Sequence, residues 1–400
     1  MSVQNTSHNS ILHEILKDKK IAVVHDWFFS RRGGEKVLEE ILNILPQADL
    51  HLLFGTPEVL KLNKQPTRIF KSFLASLPGI QNYYKWCLPL LPMAAESLDM
   101  SEYDIIISSS HCVAKGIIPH PGAKHISYVH SPMRYAWDQE RRYFKKAVTI
   151  LRPLEILRRI ILSRLRIWDC VSTTRIHQIV SNSSYVAKRC SLYYGRKSNV
   201  IYPPVDIARF QKSNASNASG SQSPTIIGNE VLLFGAWVPY KKMKRALELL
   251  IEQNIPVIAA GNGDEFSAAK KQYSANKNIQ FFENPSDAQV AELYARSRIL
   301  LFPGVEDFGI VPVEAQAAGL WVVAPNKGGT AETILPEVTG SLFQADSETE
   351  MIKTVHEALQ KQGTKIVTEQ IQNHLKQFST SQFQESFAQA IINLVHHKHN

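Results

Sequence analysis

Residues 20–55, KIAVVHDWFFSRRGGEKVLEEILNILPQADLHLLFG, set the architecture. A short apolar run from Ile21 to Trp27 leads through Gly33-Gly34 into a segment of helical period, and a second apolar run closes the stretch. Strands spaced by a helix pair in parallel, because the helix carries the chain back to the edge it left. The runs YDIIISSS (103–110) and KHISYVH (124–130) continue the alternation. It breaks at YPPVDIARFQKSNASNASGSQSPTIIGNE (202–230), where Pro203-Pro204 precedes a Ser/Asn/Gly-rich run too polar to pack a core. It restarts with EVLLFGAW (230–237), KKMKRALELLIEQ (241–253), IPVIAAG (255–261), a helix near Glu265 to Tyr273, IQFF (279–282), DAQVAELYARS (287–297) and RILLF (298–302). The class is α/β, with two Rossmann-like doubly wound domains expected to face each other across a cleft. We place the first at 1–210, a linker at 211–229 and the second at 225–378. Open sheets of this kind bind ligands beyond the carboxyl ends of their strands.

Composition narrows the classes. The chain is 44% hydrophobic and 20% charged, ordinary for globular domains. Cys87, Cys112, Cys170 and Cys190 are widely spaced, which suggests neither a disulfide framework nor a metal site. No secretory leader and no membrane-spanning run is evident, so a cytoplasmic setting is expected. The net charge of +9 resides in the first half: residues 1–210 hold 29 Lys+Arg against 17 Asp+Glu, the rest 16 against 19. Its aromatics are not interleaved as stacking platforms, so no nucleic-acid partner is expected.

FPGVEDFGIVPVEAQAAG (302–319) gathers Glu306, Asp307 and Glu314 around a glycine turn. Pro312 suits the first turn of a helix, where its missing N–H costs nothing. The amides of Gly309, Ile310 and Val311 then lack intrahelical acceptors and suit an anion. Two readings stay open: the acids cap the helix and complement its dipole, or they accept hydrogen bonds from hydroxyls beside a bound phosphate. A nucleotide sugar would use amides and carboxylates together. Balancing cations stand at Lys241, Lys242, Lys244 and Arg245, unless these form a solvated basic face. Further glycine turns lie at AGNGDE, with Gly261 and Gly263, and NKGGTAET, with Gly328 and Gly329. His130 ends one predicted strand and His25-Asp26 another; acceptor contact or base duty competes there with a packed histidine and a cap.

Taken in order, VVHDW, RRGGEKVLE, SSSHCVAKG, YVHSPMRYAWD, SNSSYVAKRC, IYPPVD, VPYKK, AGNGDE and EDFGIVPVEAQAAG resemble the retaining glycosyltransferases of family 4, which have the GT-B fold. The resemblance is strongest to the bacterial mannosyltransferase-like branch that builds O-antigen, capsule or exopolysaccharide. It implies metal-independent transfer with no cofactor, from a nucleotide sugar, most readily mannose from GDP-mannose, to a lipid-linked glycan acceptor. It also implies an acceptor-binding first domain, onto which a final helix at 380–396 packs back, and a nucleotide-sugar-binding second domain. By position, Glu306 contacts donor-sugar hydroxyls with His130 at the reaction centre, and Glu314 holds ribose. Lys241, backed by Lys242, neutralises the diphosphate, and Gly33 and Gly34 approach it. Gly261, Gly263, Phe308, Gly309, Ile310 and Val311 complete the donor set; His25, Asp26 and Arg134 are acceptor candidates. Two departures stand out. Gly235-Ala236-Trp237 replaces the Gly-Arg of many members, and FFENPSD (281–287) replaces a glycine-containing turn where the base is read. The same chemistry with a UDP-sugar donor or another hexose, and a non-catalytic nucleotide-sugar-binding protein, are the alternatives.

Between Arg141 and Trp168 nine Lys/Arg residues stand against Glu155 alone. Ile156, Leu157, Ile160, Ile161 and Leu165 recur at helical spacing, with Arg158, Arg159, Arg164 and Arg166 mostly off that face. Such a helix packs on its own sheet or lies on an anionic membrane surface. The second reading places the protein peripherally on the inner face of the plasma membrane through 141–168.

Overall fold

The computed structural model describes residues 11–30, 33–140, 152–210, 228–361 and 367–396. The chain divides into two compact units, Met1–Pro204 with Thr380–Asn400, and Val205–Ser379.

In the first unit β1 (Ile21–Phe28), β2 (Asp49–Gly55), β3 (Ile69–Lys71), β4 (Ile105–Ser110), β5 (Lys124–Val129), β6 (Gln178–Ser181) and β7 (Asn199–Val200) form a seven-stranded sheet in the order β3-β2-β1-β4-β5-β6-β7. All named strand pairs are parallel. Successive β1 side chains enter opposite cores, as a sheet buried on both faces requires. Ile21 and Val23 pack with α1 (Gly33–Ile44) and α11 (Thr380–His396), while Ala22 and Val24 pack with α2 (Leu91–Glu96). Helix α1 buries Val37, Leu38, Ile41 and Leu42, one stripe at helical spacing. Helix α11 seats Phe383 and Phe387 against Tyr128 of β5, at ring-centroid distances of 5.9 and 6.1 Å. Lys124 Nζ donates to the carbonyls of Leu394 and Val395 at that helix's end. Helices α3 (Arg152–Ser172) and α4 (Ser184–Tyr194) flank β6.

The second unit holds β8 (Val231–Ala236), β9 (Val257–Asn262), β10 (Ile279–Glu283), β11 (Ile299–Leu301), β12 (Trp321–Pro325) and β13 (Gly340–Phe343), a parallel sheet in the order β10-β9-β8-β11-β12-β13. Its longer helices are α5 (Met243–Glu252), α6 (Asp264–Tyr273), α7 (Asp287–Arg296), α8 (Ile310–Ala317), α9 (Glu348–Gln360) and α10 (Glu369–Lys376). The division falls after Pro204 rather than at residue 210, because Val205 N donates to Phe378 O at 2.9 Å and Phe210 packs on Tyr294. Of the expected linker, 211–227 lies outside the described residues.

Candidate functional site

In the second unit the chain leaves β8 toward β9 on one side and continues from β11 to β12 on the other. The crevice of a doubly wound sheet lies at this reversal, beyond the strand ends. Lys241 and Glu306 meet there, with Nζ and Oε1 3.1 Å apart and side chains 18% and 14% exposed. Lys241 closes the 3₁₀ turn Pro239–Lys241 after β8, and Glu306 lies in the loop after β11. Gly304 brings the two segments together, since a β-carbon on it would sit 2.7 Å from Lys241 Cα. The same loop ends at Gly309, whose φ of 92° turns the chain into α8 with no side chain capping that helix. The first-turn amides of α8 and the Lys241 ammonium therefore lie at one strand-end reversal, the setting for an anionic group.

Glu314, on the second turn of α8, is buried and accepts from Tyr294 Oη at 3.3 Å. Burial and then the Glu314 charge hold the Tyr294 phenol well above its ordinary pKa, so it stays a donor. The NKGG turn braces the acid loop: Gly329 N donates to Glu306 O at 2.8 Å, and a β-carbon there would lie 2.3 Å from Phe308 Cα. Phe308 itself is buried against Phe378, with centroids 5.7 Å apart.

Other expected donor residues fall differently. Lys242 does not open a helix in its first turn; it is the left-handed residue before α5, with φ of 56°, and its ammonium pairs with Asp346. Gly261 and Gly263 make room for protein backbone, as added β-carbons would lie 1.8 Å from Gly235 O and 2.6 Å from Trp237 O. In the GAW stretch Trp237 is fully buried, donating from Nε1 to Ala260 O at 3.0 Å.

In the first unit the corresponding reversal lies between β1 and β4. Asp26 accepts four main-chain amides there, from His111, Cys112, Val113 and Ala114, at 2.6 to 2.8 Å. Burial favours its neutral form, but His111, His25 and these amides together hold its carboxyl below the usual range. Asp26 is 0% exposed, so of the two open readings the geometry gives the cap of the 111–114 turn. His25 is likewise fully buried, with Nδ1 3.0 Å from Ser109 Oγ, and burial foremost drops its pKa to about 3. It is the packed histidine, neutral at physiological pH. His130, half-buried just past β5, does join the glycine loop: a β-carbon on Gly34 would lie 3.8 Å from its Cε1. Its main chain donates to Ser110 O and accepts from Asn182 Nδ2, at 2.8 and 2.9 Å, and its Nε2 lies 2.8 Å from Ser109 Oγ. Arg134 is half-buried four residues on.

Helix α3 divides its apolar residues between two faces. Leu162 and Leu165 turn inward beside Asp169, which holds Lys115, Trp137 Nε1 and Tyr194 Oη. Ile156, Leu157, Ile160, Ile167 and Val171 stand outward at 46% to 62% exposure, with Arg159 also exposed. Arg158 instead pairs with Glu155 and Glu140. Residues 141–151 of the expected membrane segment lie outside the described residues. Among the described residues no helix is long and apolar enough to cross a membrane, and no cluster of His, Cys, Asp or Glu is arranged to hold a metal ion.

Residues 228–382, which include the strand-end site of the second unit, match the family model Glycosyl transferases group 1. The described residues form two parallel-sheet, Rossmann-like units, and the solved structures that share this fold include glycosyltransferases. The chain is 26% identical over 189 residues to the D-inositol 3-phosphate glycosyltransferase of Segniliparus rotundus, covering 42% of this chain and 41% of that protein. It is 36% identical over 83 residues to the alpha-1,3/1,6-mannosyltransferase ALG2 of Rhizomucor pusillus, covering 20% and 18%. The chain thus spans less than half the length of these curated relatives. Among solved structures, Anabaena Alr3699/HepE in complex with UDP and glucose superimposes with a TM-score of 0.64 at 17% identity, covering 94% of this chain and 99% of that one.

Sequence reasoning missed Ser109, Tyr294 and the Lys115–Asp169 pair. For Ser109 a signal existed, since Ser108, Ser109 and Ser110 end a strand that otherwise reads as apolar core. For the other two none did, because their partners lie 20 and 54 positions away.

Proposed function

We propose that the protein is a retaining hexosyltransferase that moves mannose from GDP-mannose to a lipid-linked glycan acceptor in cell-surface polysaccharide synthesis. The observation that carries this reading is the Lys241–Glu306 pair at the uncapped start of α8. When the glycosidic bond to a nucleoside diphosphate breaks, charge develops on the leaving phosphate oxygens. Lys241 and the amides of Gly309, Ile310 and Val311 stabilise that charge. Glu306, released from Lys241 by the diphosphate, accepts hydrogen bonds from the hexose, and Glu314 with Tyr294 holds the ribose. In the first unit His130 and the Gly33-Gly34 turn form a strand-end site of their own, which His25 and Asp26 support from behind. Arg134 is then the candidate for acceptor contact. Lysine and amides carry the charge role that a metal plays elsewhere, so transfer is expected to persist in chelator.

The outward stripe of α3 supports peripheral attachment to an anionic membrane, where a lipid-linked acceptor resides, each nearby cation adding up to about 1 kcal/mol. Ile156→Ser with Ile160→Ser should abolish flotation with anionic vesicles; undiminished flotation removes that part of the reading. A UDP-sugar donor is the second reading, favoured by the UDP and glucose bound in the similar Anabaena structure. A panel of nucleotide sugars, incubated with protein and membrane lipid extract and assayed for nucleoside diphosphate release, separates the two donors. Binding of one sugar with no release from any would leave only the non-catalytic alternative.

A further inference from the structure

His111 is the first residue past β4, at the strand-end reversal of the first unit. Its ring is held on two sides. Nδ1 lies 3.3 Å from Asp26 Oδ2, and the ring stands edge-on to Trp27, with centroids 4.7 Å apart. The same carboxylate oxygen accepts the His111 main-chain N–H at 2.7 Å, so Asp26 fixes backbone and ring together. The carboxylate is wholly buried, whereas the His111 side chain is 36% exposed.

This contact decides where the ring carries its proton. Both oxygens of Asp26 face amide donors, two each, which leaves no acceptor for a carboxylic proton and keeps the group ionised. A bare Nδ1 would set its lone pair against that charge, so in the neutral ring the proton sits on Nδ1 and Nε2 is an acceptor. Among the described residues the buried histidine nitrogens without a hydrogen-bond partner are His25 Nε2, His51 Nδ1 and His125 Nδ1. His111 Nε2 is not one of them, and no described protein group bonds to it, so it meets solvent. The groups around the ring are Asp26, Trp27 and His25, whose ring centroid is 5.8 Å away. A lone pair backed by a buried carboxylate suits a ligand that donates, which a hydroxyl does and a phosphate anion does not.

We infer that His111, oriented by Asp26, is a ligand-binding residue of the first unit whose Nε2 accepts a hydrogen bond from a hydroxyl of a bound glycan. Asp26 is then a positioning residue as well as the cap of the 111–114 turn. That the glycan is the acceptor of transfer rests on the function proposed above; the open, proton-accepting Nε2 does not.

Nitrogen-15 spectra of the full chain labelled at histidine, with His111 assigned by His111→Phe, read the ring directly. The neutral wild-type ring should show a protonated Nδ1 and a bare Nε2, and the Nε2 resonance should move when membrane lipid extract is added. Inorganic phosphate alone should leave it in place. In the transfer assay His111→Phe keeps an aromatic ring against Trp27 and removes both nitrogens. It should raise the half-saturating amount of lipid extract roughly 3- to 10-fold, the loss of one hydrogen bond, with that of the nucleotide sugar within about twofold. His111→Gln, which returns an acceptor oxygen, should recover part of the loss. A proton on Nε2, an Nε2 resonance that responds to phosphate but not to the extract, or His111→Phe saturating as wild type does overturns the inference. If no nucleotide sugar is turned over while the extract still moves Nε2, the glycan site stands and only the proposed transfer falls. The wild-type spectra decide the matter even if a variant fails to fold.

Discussion

Asp26→Asn separates a cap from a catalytic base. The carboxylate accepts four amides, two on each oxygen, at 2.6 to 2.8 Å in a fully buried position. Asparagine keeps one acceptor oxygen and turns an NH₂ toward the other two amides. Each buried amide left unpaired costs about 1–3 kcal/mol, so the variant should lose about 2–6 kcal/mol. Set against a typical domain stability of about 5–15 kcal/mol, that is a large fraction. Urea unfolding should show the loss, and hydrogen exchange at residues 111–114 should quicken. The pH dependence has a definite sign. Because the folded-state pKa of Asp26 is depressed, its contribution is present above the ordinary carboxylate value of about 3.9 and is lost as pH falls through the folded value. The variant should lack that acid-side loss. An Asp26→Asn protein within about 0.5 kcal/mol of wild type that is nonetheless inactive would refute the cap and restore the base, since changes away from such features fall in that range.

Lys241→Ala should weaken nucleoside diphosphate binding roughly 10- to 150-fold, the loss of a charge-assisted contact of about 1.5–3 kcal/mol, whereas Lys242→Ala, removing an exposed pair with Asp346, should change it only a few-fold. Calorimetry distinguishes them, and equal effects would show that the ion pairs seen here do not report the ligand site. Gly261→Ala places a β-carbon 1.8 Å from Gly235 O at a φ of +128° and should cost about 1–3 kcal/mol or more, read as a melting point lower by several degrees. An unchanged melting point would contradict the tight β8–β9 approach. Asp169→Ala leaves Lys115 buried without its partner and should cost about 3–5 kcal/mol in urea unfolding, a loss that a solvated pair would not show.

The parallel sheets were legible because β1 and β8 are continuous apolar runs between helical segments, a pattern that leaves little choice of architecture. The acid loop was legible for a related reason: a glycine turn, a first-turn proline and a strand before them fix where α8 begins. Local sequence could not say which charges meet. Lys241 and Lys242 are adjacent and chemically alike, yet the left-handed turn at Lys242 sends one to Glu306 and the other to Asp346. Periodicity likewise placed Leu165 with Ile156 and Ile160, but α3 is apolar on two sides, and only packing decides which side is covered. Asp26 left both readings open because the amides it caps belong to residues 85 to 88 positions away.

The central claim is that the strand-end site holding Lys241 and Glu306 supports sugar transfer. Nucleoside diphosphate release, measured with the best donor of the panel and membrane lipid extract for wild type and Glu306→Ala, tests it most directly. The account predicts turnover by the wild type and a loss of at least about a hundredfold in the variant, the scale of removing one group that stabilises the transition state. Undiminished release by Glu306→Ala would contradict it.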